Sequence, residues 1–494
     1  MIKFKNLVKR IALNPVRARI AYDLFISTFS IISIYLIFFI FNLNIFISWI
    51  FLIFYPLLFV SLNYFHGIYG KLKTSSTVLK AISLTSSVAL CFVIYLLIFN
   101  TVSPLMILSS IFVLLLAILP RVFFNYPTYN REGKYIATIM NDKLPILVVG
   151  GGGYIGSHLV EQLLKKNYKV RVFDKFIYGK EVLADLKNNH NLEIIEGDIS
   201  DLYALTLALR DTRAVIHLAG LVGDPASSID SKLTQHFNIV STRMLIESVK
   251  ALRIPRFIFA SSCSVYGASE KEVNEISDLN PVSLYAKTKI DSENEILQTQ
   301  SDEFHPTILR FATVFGHSRR PRFDLVTNLF TAQAYNNGQI TVLGSNQWRP
   351  LIHVSDIANA IVKVIEAPTE KVSRQILNVG DDDLNITIGA LAELVAKEVG
   401  LDKKGKKIKI SINNDIDDPR NYRVSFDKIK NTLGFRAKIN FETGIKEIAD
   451  NFKNKIYKKH YTNSIYSNFE MTKLVKDEFY SKGYRKTHFS MLQD

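Results

Sequence analysis

The sequence predicts a doubly wound parallel α/β domain behind a four-helix transmembrane region. Three observations predict it: two long stretches free of charge near the N-terminus, a strand, glycine turn and helix in succession after residue 144, and alternating strand and helix signals beyond them. The 494 residues are 48% hydrophobic, which excludes disorder. Two cysteines, Cys91 and Cys263, exclude a disulfide framework and have no partner at zinc-ligand spacing, so no metal site is expected.

Leu24 to Gly70 and Ala81 to Pro120 contain no Asp, Glu, Lys or Arg. A crossing needs about 20 apolar residues, so each stretch holds two, split near Asn42–Asn44 and Asn100–Pro104. Lys and Arg stay on the cytoplasmic side of short loops. Lys3, Lys5, Lys9, Arg10, Arg17 and Arg19 precede the first span, Lys71, Lys73 and Lys80 separate the hairpins, and Arg121, Arg131 and Lys134 follow the fourth. Both termini are therefore expected in the cytoplasm, with residues 1–124 a multi-pass anchor in the cytoplasmic (inner) membrane and 125–143 a linker. Most of the net charge of +15 lies in this region, which points to anionic membrane lipid rather than nucleic acid. No ionisable residue falls inside the spans, which argues for anchoring over transport.

Pro145–Val149 reads as a strand, Gly150-Gly-Gly-Gly153-Tyr-Ile-Gly156 as a tight turn, and the residues after it as a helix with apolar positions at helical spacing. Glycine lets a backbone approach a pyrophosphate, and a helix N-terminus offers it N–H groups and a positive dipole end. A second strand ends at Asp174, placed to accept hydrogen bonds from a ribose and to repel a 2′-phosphate, so NAD is expected over NADP. Further strand signals at 192–195, 214–218, 257–259 and 307–309 alternate with helices and imply a Rossmann-type parallel sheet.

From about Ile146 to Phe452 these motifs resemble the extended short-chain dehydrogenase/reductases, the nucleotide-sugar epimerase and dehydratase family. The fingerprint falls on Gly150, Gly153 and Gly156, Asp198 stands at the adenine-contacting acid, and His217-Leu-Ala-Gly220 matches the segment beside the cofactor. Ala260-Ser-Ser-Cys-Ser-Val-Tyr-Gly267 resembles the active-site serine strand and Tyr285-Ala-Lys-Thr-Lys289 the Tyr-x-x-x-Lys pair. The resemblance implies a cofactor site of Gly150, Gly153, Tyr154, Ile155, Gly156, Asp174, Asp198, Ile199, Leu218, Ala219, Tyr285 and Lys289. It also implies a smaller C-terminal substrate-binding part, a domain over 144–458 and a homodimer. Residues 459–494 are left as a solvated basic tail, with anionic lipid as a second reading.

Tyr285 and Lys289 are four apart and share a helix face. A phenol is a poor base at neutral pH, and a nearby ammonium lowers its pKa. Tyr285 would take a proton from a sugar hydroxyl while hydride leaves the same carbon for NAD, with Ser262 hydrogen-bonded to that oxygen. Ser262 is chosen over Ser261 because the family's catalytic hydroxyl lies four residues before the tyrosine matched by Tyr266. After that hydroxyl, 4,6-dehydratases carry an acidic pair, and this chain has Cys263-Ser264.

Arg349 in Trp348-Arg-Pro-Leu-Ile-His-Val-Ser-Asp356, Asn328, and Arg420 with Arg423 match substrate-contacting segments, where arginine can clamp a diphosphate. Phe311-Ala-Thr313 departs from the asparagine that many epimerases place there. The expected activity is NAD-dependent epimerisation of a nucleotide sugar, at C4 of a UDP-sugar, for cell-surface polysaccharide. The alternatives are a keto-sugar reductase, a 4,6-dehydratase, and a non-catalytic nucleotide-sensing scaffold on the membrane.

Overall fold

The computed structural model describes residues 144–299, 303–413 and 420–481. The chain divides into Met1–Lys134 and Tyr135–Asp494. The four predicted spans and the linker lie outside the described residues. Among the described residues no helix is long and apolar enough to cross a membrane.

The strands are β1 (Ile146–Val149), β2 (Val170–Asp174), β3 (Leu192–Glu196), β4 (Ala214–His217), β5 (Arg256–Ser262), β6 (His305–Phe311), β7 (Thr313–Phe315), β8 (Gln339–Leu343), β9 (Trp348–His353), β10 (Gln375–Val379), β11 (Asn385–Thr387) and β12 (Lys409–Asn413). Those helices that position the site are α1 (Tyr154–Lys165), α2 (Leu202–Leu209), α3 (Ser241–Ala251), α4 (Leu284–Gln298), α5 (Val326–Asn337), α6 (Val354–Glu366), α7 (Ile388–Val399), α8 (Phe441–Lys453) and α9 (Asn468–Ser481).

A seven-stranded sheet in the order β10-β6-β5-β4-β1-β2-β3 is parallel throughout. β1 is an unbroken apolar run because both sheet faces are covered, as parallel sheets require. Ile146 and Val148 enter one core with Leu159 and Leu163 of α1 and Ile357 and Ile361 of α6. Leu147 and Val149 enter the other, with Leu205 of α2, Leu245 of α3 and Ile296 of α4. Each such side chain contributes about 1.5–3 kcal/mol by leaving water. The chain crosses over between β1's neighbours, β2 and β4, so a crevice opens at the C-terminal strand ends, where doubly wound sheets bind ligands.

The expected smaller C-terminal part is present as a third core. Phe330 of α5, Leu391 and Val395 of α7 and Ile445 of α8 pack on Ile340 and Val342 of β8 and Leu351 of β9.

The segment read as a solvated tail does not trail. Val475 and Phe479 of α9 enter the same core as β1 and α3, and Phe479 packs edge-on against Phe237. Two aromatic and branched side chains four apart place one face of α9 on the domain, while Lys473 stays outside and pairs with Glu470. The domain therefore reaches at least residue 481, beyond the boundary expected at 458.

Candidate active site

Gly153 precedes α1 with no side-chain cap, and the first turn carries no acid, so the helix's leading N–H groups are left for an anion. The turn admits no larger residue. A Cβ on Gly156 would lie 2.2 Å from the Gly150 carbonyl oxygen, and Gly150, at φ +89°, would bring one to 2.7 Å from the Ala219 nitrogen. Asp174 at the end of β2 accepts the N–H groups of Gly152 at 2.8 Å and Phe176 at 2.6 Å. Burial raises its pKa against those two bonds. Asp198 accepts from the Ser200 amide and hydroxyl at 2.9 and 2.7 Å and pairs with Lys175 at 3.1 Å. These contacts outweigh burial and hold its carboxyl below the usual range.

A cleft of about 650 Å³ runs from this turn across the C-terminal ends of β4 and β5. Gly150, Gly153, Tyr154, Ile155, Gly156, Asp174, Asp198, Ile199, Leu218 and Ala219 line it, with Ser262, Tyr285 and Lys289 farther along. Close-packed glycines, a bare helix N-terminus and an acid at the second strand fit a dinucleotide.

Ser283 caps α4, accepting the Ala286 N–H at 3.1 Å while donating to Asp224 at 2.5 Å. That start sets Tyr285 and Lys289 on the cleft face. Ser262 lies beside Tyr285 and favours its phenolate, whereas Ser261 donates to the carboxylate of Glu293. The Lys289 ammonium donates to the Ala260 carbonyl at 2.7 Å and lies 4.8 Å from the centre of the Phe259 ring. Burial pulls its pKa down to about 8, with Glu293 opposing. The expected lowering of the Tyr285 pKa is not what this ligand-free geometry produces. Burial raises it, the Asp224 charge adds to that, and Ser262 and Arg322 only partly oppose. Lys289 donates one N–H to a backbone carbonyl and is not among the groups that set the phenol's pKa.

Cys263 is buried with its thiol 3.2 Å from the Arg310 carbonyl oxygen, and burial pushes its pKa far up. Ser264 lines the cleft, its hydroxyl buried without a partner. No carboxylic acid therefore occupies the two positions after Ser262.

Of the four residues expected at the substrate, two line the cleft. Arg349 is buried and donates to the carbonyls of Trp348 and Arg420, and Arg420 pairs with Asp224 at 2.6 Å. Asn328 does not face the cleft. Its amide is consumed by Gly316 N–H at 2.9 Å, the Arg322 carbonyl at 2.8 Å and the Tyr154 hydroxyl at 3.1 Å. Arg423 is exposed and packs over Trp348, 5.4 Å from its ring centre. Sequence reasoning missed Asp224, Tyr178, Arg320, Arg322 and Asn468, all of which line the cleft. The run Arg319-Arg320-Pro-Arg322 was a visible signal of charge, but not of which arginine is paired.

A profile described as the NAD dependent epimerase/dehydratase family matches residues 146–380. An uncharacterised UDP-glucose epimerase of Bacillus subtilis, YtcB, is 30% identical over 330 residues, covering 62% of this chain and 97% of that protein. The chain belongs to the NAD-dependent epimerase/dehydratase family. A putative UDP-glucose 4-epimerase of Methanocaldococcus jannaschii is 29% identical over 63% of this chain and 98% of its own length. A human dTDP-D-glucose 4,6-dehydratase is 26% identical over 62% of this chain and 89% of its length. Among solved structures, the UDP-glucuronic acid 4-epimerase of Bacillus cereus, in complex with UDP-glucuronic acid and NAD, superposes with a TM-score of 0.57 at 25% identity, covering 63% of this chain and all of that one. As a member of this family the protein is an NAD-dependent enzyme, and the lining of the cleft fits that cofactor.

Proposed function

We propose that the protein is a nucleotide-sugar 4-epimerase acting on a UDP-sugar. The observation that carries this reading is the cleft triplet Ser262, Tyr285 and Lys289, in which Ser262 is followed directly by Cys263 and Ser264, a buried thiol and a hydroxyl. Eliminating water from a sugar needs an acid to protonate the departing oxygen, and neither position supplies one. NAD, when bound, supplies the hydride acceptor and returns the hydride. Tyr285 takes the proton of the C4 hydroxyl and gives it back to the same oxygen, while Ser262 hydrogen-bonds that oxygen. Arg349 and Arg420 hold the sugar-nucleotide diphosphate at the other end of the cleft.

The test is to release nucleotide by acid from the full-length protein purified without added cofactor, then incubate the protein with UDP-glucose and UDP-glucuronic acid and follow the sugar by NMR. Stoichiometric NAD with C4 inversion supports the epimerase. A 4-keto-6-deoxy product would sink it in favour of dehydration, and net consumption of added NADH in favour of a reductase.

The membrane anchor and the polysaccharide role belong to the same proposal, resting on the charge-free stretches and the Lys and Arg asymmetry of residues 1–143. Fluorescent-protein and alkaline-phosphatase fusions at the C-terminus should report a cytoplasmic location, and a periplasmic signal would overturn the topology. Loss of the gene should deplete surface polysaccharide. A homodimer is also proposed, and a monomer by sedimentation would refute it.

A further inference from the structure

Three arginines stand together in Arg319-Arg320-Pro321-Arg322, and the fold treats them differently. Arg319 donates to Glu161 at 2.6 Å and to Asp185 at 2.7 Å. Arg322 forks onto Asp324 at 2.9 and 3.0 Å. Arg320 is 3% exposed and lines the cleft, yet its Nε and Nη2 have no hydrogen-bond partner. Its guanidinium carbon lies 3.6 Å from the centre of the Tyr178 ring, so the plane is held by an aromatic face and the donors stay open. Burial lowers its pKa to about 10, which leaves it charged at neutral pH. A buried cation with open donors is unfavourable until an anion completes it.

The position of Arg320 indicates which anion. The preceding residues are pinned to the first turn of α1: the Tyr154 hydroxyl donates to the Gly316 carbonyl at 2.6 Å, and the Ser318 hydroxyl donates to the Tyr154 carbonyl at 2.7 Å. Arg320 is two residues farther on. Tyr178 belongs to the loop that follows Asp174. Asn468, the first residue of α9, accepts from the Tyr178 hydroxyl at 3.1 Å and donates to the Val222 carbonyl at 3.0 Å. The arginine is thus built into the wall shared by the glycine turn, the end of β2 and the C-terminal helix, whereas Arg349 and Arg420 come from β9 and the segment near residue 420.

We propose that Arg320, stacked on Tyr178, binds the pyrophosphate of the dinucleotide cofactor and completes the anion site begun by the uncapped N-terminus of α1. The inference rests on the family's cofactor and not on the choice of sugar reaction. A chain that binds NAD in this way but epimerises no sugar leaves it standing.

Full-length wild type, Arg320→Met and Arg320→Lys, each stripped of nucleotide, are titrated with NAD, ADP, adenosine and UDP. Losing a charge-assisted fork should weaken NAD and ADP by about tenfold or more. Adenosine and UDP should be unchanged, and Arg320→Lys should recover part of the loss. The ligand-free melting temperature of Arg320→Met should equal or exceed that of wild type, because the variant removes an unpartnered buried charge. Unchanged NAD affinity overturns the proposal. So does weakened UDP with unchanged NAD, which would assign the arginine to the sugar-nucleotide diphosphate. A lowered ligand-free melting temperature with all four ligands weakened alike would make the residue structural and overturn it as well.

Discussion

Glu293 and Arg310 meet Oε2 to Nη2 at 2.7 Å with 3% of each side chain exposed. The pair ties α4, which carries Tyr285 and Lys289, to β6. The same carboxylate receives the hydroxyl of Ser261, and the same guanidinium donates to Tyr266 at 3.0 Å. Both serines line the cleft, but the network engages the Ser261 hydroxyl on Glu293, which leaves the Ser262 hydroxyl for the reacting oxygen.

Removing one member of such a pair leaves the other charge uncompensated. Glu293→Ala should destabilise the protein by about 3–5 kcal/mol, and Glu293→Leu combined with Arg310→Met should cost less than Glu293→Ala alone. Urea denaturation of the three proteins checks this. A double variant less stable than the single one would show that the pair itself, rather than the orphaned charge, carries the stability.

Tyr285→Phe removes the proton acceptor while keeping the ring buried. Turnover should fall by about 10²- to 10⁴-fold, with NAD content after purification unchanged. Near wild-type turnover would place the proton transfer elsewhere.

Burial holds the Lys289 ammonium down to about 8, from 10.5. Below pH 8 the folded and unfolded chains both carry the proton, so the cost of burying it is present in full. Between pH 8 and 10.5 the unfolded chain binds more protons, and stability rises with pH across that window. Ligand-free Lys289→Met should therefore be more stable than wild type at pH 7, with the gap closing by pH 10. Urea midpoints at the two pH values decide it, and a gap that widens with pH would refute the assignment.

Asn468 joins two segments that line the cleft, through Tyr178 and Val222. Asn468→Ala removes two hydrogen bonds worth about 1 kcal/mol each. NAD should then dissociate roughly tenfold faster, a change of about 1.4 kcal/mol being a factor of ten. Turnover at saturating NAD should hold. Displacement of bound NAD by excess ADP-ribose measures the rate, and an unchanged rate would mean that α9 does not retain the cofactor.

What the sequence made legible was local. The glycine turn, the bare start of α1 and the Tyr285–Lys289 spacing each act within one element or between neighbours in the chain, so their residue types alone carry the reading. What it hid depends on partners far away. Arg319 and Arg320 look alike until Glu161 and Asp185, more than 130 residues earlier, claim the first and leave the second. Asn328 matched a substrate-contacting position, but the loop from Gly316 to Arg322 folds back and saturates its amide. The spacing of Val475 and Phe479 was present in the tail, yet it was outweighed by the surrounding lysines until a core gave it something to pack on.

α9 also sets the order of events during synthesis. Asn468 reaches Val222 across 246 residues, so a chain still on the ribosome has its glycine turn and Tyr285 helix long before it has the wall that encloses them. Domains generally fold as units during synthesis, so stable retention of the cofactor is expected only once α9 has been made. Nascent chains stalled before residue 468 should release NAD on washing, whereas full-length chains should keep it.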